Sequence, residues 1–104
     1  MFTQKDIKLL EQPYFQVMRT TESFYEIQSK NTKHCWIIRK PAKSGKMAVQ
    51  LHHKHTIKTA YYHDHAYAFN VEHAIRLIKE HDAYVLHPEN YTYANAKKCH
   101  ASAQ

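Results

Sequence analysis

A chain of 104 residues that is 43% apolar and 23% charged, with one glycine and three prolines, has the composition of one folded domain; this argues against a disordered segment or a pair of domains. Its formal charge of +6 favours an anionic partner, and no apolar run approaches the roughly 20 residues of a membrane-spanning helix. Cys35 and Cys99 form neither a CxxC pair nor a disulfide framework, and residues 1–6 lack a secretory pattern, so free thiols and a cytoplasmic location are expected.

Residues 3–12 predict a short helix. Thr3 can cap it by accepting from the backbone near Asp6, Asp6 sits in the positive first turn, and Phe2 can staple onto Ile7. Pro13 stops it, and a helix this short must dock to persist. Residues 14–20 and 24–28 carry strand formers, Tyr14, Phe15 and Val17 in the first and Phe24, Tyr25 and Ile27 in the second. Residues 29–33 are turn-forming by composition, with Asn31 suited to a left-handed backbone. Residues 34–40 form an unbroken apolar run through Cys35, Trp36, Ile37 and Ile38, which predicts a central strand buried on both faces. It completes a β-hairpin with residues 24–28. A second turn over 41–46 precedes an alternating strand at 47–53, with Met47, Val49 and Leu51 on one face and Ala48, Gln50 and His52 on the other.

Ile57, Tyr61 and Tyr62 suggest a further short strand within 55–62. Residues 70–81 give the clearest helix: Asn70 caps it, Val71, Ala74, Ile75 and Ile78 share one stripe, and Glu72 precedes Arg76 by one turn. His81 at its end would be favoured as a cation by the helix dipole. Beyond Leu86 the periodicity is lost, so a domain over 1–94 and a frayed tail over 95–104 are expected. Together these elements predict an α+β fold. An antiparallel sheet of three to five meandering strands carries the C-terminal amphipathic helix on one face and the short N-terminal helix at an edge.

The excess charge is concentrated. Lys30, Lys33, Arg39, Lys40, Lys43, Lys46, Lys54 and Lys58 lie in a stretch with no acid between Glu26 and Asp64. Such a surface can neutralise phosphates while Tyr61 or Tyr62 stacks on bases, which makes DNA or RNA the first expected partner. Lysines also populate solvated turns in proteins that bind nothing, and net charge alone is a weak signal. The histidines form a second candidate, because residues two apart on a strand point the same way. His53 with His55, or His63 with His65, could supply two ligands to zinc or a similar ion, the third coming from the other pair or from Asp64. The plainer alternative makes them polar aromatic residues at strand ends.

A protein partner or a homodimer, formed through a sheet edge or surface tyrosines, is the third class. Ser44-Gly45-Lys46-Met47 lacks the flanking residues of a phosphate loop. Glu72, Glu80 and Asp82 fall on a helix face expected to be solvated, and Cys35 reads as a small buried residue beside Trp36. A non-enzymatic module without a cofactor is therefore the expectation.

Overall fold

Alternating and continuous apolar runs follow one another with only short polar turns between them, and chain connected that way pairs with its sequence neighbour. In the computed structural model, which describes residues 2–40 and 48–90, this yields α1 (Gln4–Leu10), β1 (Phe15–Thr20), β2 (Phe24–Ser29), β3 (Cys35–Arg39), β4 (Val49–Lys54), β5 (His63–Ala68), α2 (Val71–Leu86) and a 3-10 turn at Pro88–Asn90. The strands form one five-stranded antiparallel sheet in the order β1-β2-β3-β4-β5, so the α+β class and the meander are as the sequence predicts. The 41–46 turn and the tail from residue 95 lie outside the described residues. Among the described residues no helix is long and apolar enough to cross a membrane.

Helix α1 closes its N-terminus with a capping box. Thr3 Oγ1 accepts from the Asp6 N–H at 3.0 Å, and the Asp6 carboxylate accepts from the Thr3 N–H at 3.0 Å. Asp6 also takes an ion pair from Lys40 Nζ at 2.7 Å, which ties the helix to the end of β3. Burial pushes the Asp6 carboxyl up, but Lys40 and the Thr3 bonds outweigh it and hold the carboxyl below its ordinary value. Phe2 packs edge-on against Tyr25 of β2, with ring centroids 4.9 Å apart.

The inner face of the sheet follows from its register. Ile27 pairs with Trp36 and Tyr25 with Ile38, while across the next ladder Trp36 pairs with His53 and Ile38 with Leu51. Helix α2 lays Val71, Ala74, Ile75 and Ile78 on that face, and α1 lies beside it. Each fully buried isoleucine or leucine contributes about 1.5–3 kcal/mol. Strand β3 is buried on both sides as predicted, since Cys35 and Ile37 are covered as well as Trp36 and Ile38.

The outer cover is the segment 55–62, and it is not the strand its Ile57 and Tyr61 suggest. The Thr59 N–H bonds to the Thr56 carbonyl at 3.2 Å, and Lys54 Nζ captures the Thr59 carbonyl at 3.0 Å. This turn chemistry outweighs two isolated strand formers that are themselves exposed. The loop brings Tyr62 over the outer face, where its hydroxyl donates to Glu26 Oε2 at 2.7 Å and its ring lies 4.7 Å from Lys54 Nζ. In the β2–β3 turn the left-handed residue is Lys33 (φ 66°) and not Asn31, whose side-chain oxygen instead accepts from the Thr32 N–H at 2.7 Å.

Helix α2 also runs beyond the predicted stop at His81, to Leu86, because no helix breaker occurs before Pro88. The extra turn carries Asp82, which is fully buried where a solvated position was expected. Its carboxylate accepts from the Tyr14 hydroxyl at 2.7 Å and the Thr32 hydroxyl at 3.0 Å, fastening α2 to the start of β1 and to the β2–β3 turn. Replacing Asp82 by alanine leaves those hydroxyls unsatisfied and should destabilise the protein by about 3 kcal/mol. Urea unfolding measures this, and an unchanged midpoint would show that water replaces the carboxylate without penalty.

Candidate metal centre

Strand parity decides what faces α2. Val49, Leu51 and His53 alternate inward along β4, and Trp36 and Ile38 inward along β3. On β5, Ala66 and Ala68 are the core residues, so strict alternation would turn His63 and His65 outward. The pairing shifts instead: Leu51 pairs with Ala66 but His52 with Asp64, which leaves His65 as an extra residue in a β-bulge. The bulge resets the parity, so that His63, His65, Ala66 and Ala68 all face inward and Asp64 faces outward. There Asp64 Oδ1 meets His52 Nδ1 at 2.9 Å.

His34 lies two residues before Trp36 and enters the same layer. His81 lies one turn after Ile78, on the buried stripe of α2. All of these imidazoles gather round His53, which is 1% exposed. From its ring centroid His34 and His55 lie at 5.0 Å, His63 and His65 at 5.2 Å, and His81 at 4.7 Å, with Trp36 beneath at 4.2 Å. Two sets have ligand nitrogens all within 4.8 Å of one another: His34, His53 and His81, and His53, His55 and His63.

Proton positions follow from one carbonyl. His63 Nδ1 lies 3.1 Å from the Asp64 backbone oxygen, which can only accept. With neutral rings His63 Nε2 is therefore a lone pair, and the His53 Nδ1–H donates to it at 3.3 Å. His53 Nε2 is then itself a lone pair, and the His34 Nδ1–H donates to it at 2.8 Å. His65 Nε2 and His81 Nδ1 are buried without a hydrogen-bond partner among the described residues.

Burial, reinforced by mutual repulsion among the rings, holds His53 down to about 2 and His65 to about 4. The same causes lower His34. The neighbouring charge is Asp82. Burial raises its carboxyl, but His81 Nδ1, at 4.0 Å and too far for a hydrogen bond, together with the donors Ser29, Tyr14 and Thr32, outweighs burial and keeps it ionised. His34, His53 and His65 are thus held toward the neutral imidazole, the form that ligates metals. A tetrahedral ion with bonds of 2.0–2.1 Å sets its ligand nitrogens roughly 3.3 Å apart, a spacing the cluster already approaches.

Of the histidines singled out in the sequence, the structure unites His53, His55 and His63 and places His65 beside them. It turns Asp64, the suggested third ligand, to the opposite face. His34 and His81 escaped the sequence reading. The register that pairs Trp36 with His53 implies the first, and the helical stripe from Ala74 through Ile78 implies the second. His81 does not stand at the helix end as expected, because α2 continues to Leu86.

The basic residues do not converge in the same way. Lys40 is engaged by Asp6, and Lys54 is buried against the 55–62 loop. Arg39 lies over the Phe24 ring at 5.4 Å, and Tyr62 is held by Glu26. Lys30, Lys33 and Lys58 are exposed, Tyr61 is 86% exposed, and Lys43 and Lys46 lie outside the described residues. Trp36 is fully buried and offers no stacking surface, while burial pushes the Cys35 thiol up and away from reactivity.

No protein-family model, no curated protein and no solved structure matches this chain.

His53 and His65 stay neutral in the folded chain down to about pH 2 and 4, whereas unfolded they would protonate near 6.5. The unfolded state then binds more protons across that window, so stability is full above pH 6.5 and falls as pH is lowered. Metal-free protein should lose at most about 1.4 kcal/mol per histidine for each pH unit below 6.5. Urea midpoints at pH 7 and pH 5 test this, and equal values would mean that the rings reach water.

Proposed function

We propose that the protein binds a first-row divalent metal ion, zinc or one of similar imidazole preference, in the histidine cluster. The observation that carries this reading is the pair of three-histidine sets that share the buried His53. An all-imidazole donor set suits zinc, copper(II) and nickel(II), and Cys35 lies on the other face of β3 and adds no thiolate. A purely structural role accounts for less. Leaving a buried ring nitrogen unpartnered costs about 1–3 kcal/mol, and coordination of His65 or His81 would recover it.

Protein dialysed against chelator and titrated with zinc chloride should gain thermal stability. The gain should be about 2.7 kcal/mol when free zinc exceeds the dissociation constant a hundredfold. His53→Gln and His63→Ala should each weaken binding by tenfold or more, the second without loss of fold because His63 is exposed. A melting temperature indifferent to zinc, cobalt and copper alike would remove the proposal.

A second reading keeps a polyanion as partner. Lys30, Lys33 and Lys58 are exposed and enter no ion pair among the described residues, and the chain carries +6. Anisotropy titrations of labelled single-stranded and duplex DNA and RNA, with chelator present, should show affinity that falls steeply with salt. Lys30→Ala with Lys33→Ala should flatten that slope. No binding in low salt would remove this reading and leave the exposed Tyr61, Tyr67 and Phe69 as candidates for protein contact.

A further inference from the structure

Resting on the metal reading, we infer that the cluster holds two ions, with His53 as the ligand they share, one on each ring nitrogen. The two nitrogens of His53 point at different neighbours. Nε2 faces His34 Nδ1 at 2.8 Å, and Nδ1 faces His63 Nε2 at 3.3 Å. The two three-histidine sets are therefore not alternative descriptions of one position. His34 of the first set meets one nitrogen of the shared ring and His63 of the second meets the other. An ion against Nε2 takes His34 and His81 as its other ligands, and an ion against Nδ1 takes His55 and His63. With metal–nitrogen bonds of 2.0–2.1 Å, ions so placed sit about 6 Å apart.

Proton balance is simple. The first ion takes the lone pair of His53 Nε2, His34 moving its own proton from Nδ1 to Nε2 through solvent so that Nδ1 can ligate, and leaves the N–H on His53 Nδ1. The second ion displaces that N–H proton to a buffer base, and the ring becomes a bridging imidazolate. The anion so formed offsets part of the charge that two dications bring into a buried site. Like-charged ions at that distance are otherwise unfavourable in low dielectric.

The two positions differ in access. His34 and His81, the latter on α2 itself, are half-buried, whereas His55 and His63 are exposed. The inner ion is enclosed. The outer ion has three imidazoles and a side open to water, the arrangement of sites that keep an exchangeable fourth ligand. His65, with its ring centroid 5.3 Å from that of His81 and its Nε2 unpartnered, borders the inner position.

The test is a titration of chelator-treated protein with copper(II), followed by electron paramagnetic resonance with spin counting after gel filtration. Two retained equivalents are expected. The spin signal should rise with the first and fall with the second, because an imidazolate couples the two unpaired electrons. His63→Ala and His34→Ala should each retain one equivalent with a full, uncoupled signal. Two equivalents with an undiminished signal would overturn the bridge, and so would saturation at one equivalent, which leaves the metal reading itself intact. No retained copper, zinc or cobalt would remove the metal reading along with the inference.

Discussion

A strand can send only every second side chain into a core, yet β5 sends His63, His65, Ala66 and Ala68 to the same side. The single extra residue at the bulge makes this possible, and the rest of the inner face depends on it. Without the bulge, β5 could offer α2 either its small alanines or its histidines. With it the alanines seat the helix while the histidines meet His53 and His81 at the end of the same interface. One local irregularity thus lets a packing surface and a candidate ligand set share a strand.

The helix end of that arrangement is held by Asp82. A buried carboxylate is tolerated only when its lone pairs are filled, and here Tyr14 and Thr32 donate from the start of β1 and from the β2–β3 turn. Ser29 links the same network to the tryptophan under the cluster, since its Oγ accepts from Trp36 Nε1 at 3.1 Å. Position along α2 is thereby coupled to the floor on which His53 rests. Geometry at His81, one residue before Asp82, is set by that anchor and not by the histidines themselves.

Much of the fold was legible in the sequence. Periodicity separated α2 from the strands, the unbroken run from Cys35 to Ile38 identified the central strand, and Thr3 marked the first cap. The site was legible only in part. His53, His55 and His63 stand out by spacing, but the bulge that makes them converge leaves no composition signal, since it consists of one unpaired residue among ordinary ones. His34 and His81 join through tertiary packing, which no local pattern records. The basic stretch is legible only as a count. Charge counted along the chain cannot show that Lys40 is engaged by Asp6 or that Lys54 is folded under a loop.

The loop 55–62 has a consequence for the opposite side of the sheet. His55 and His63 stand at its two ends, and its Tyr62 covers Cys35. An ion held between those two histidines would clasp the loop at its base, as a cross-link does, and remove much of the entropy that favours opening. The thiol beneath would then be shielded whenever metal is bound and uncovered more often when it is not.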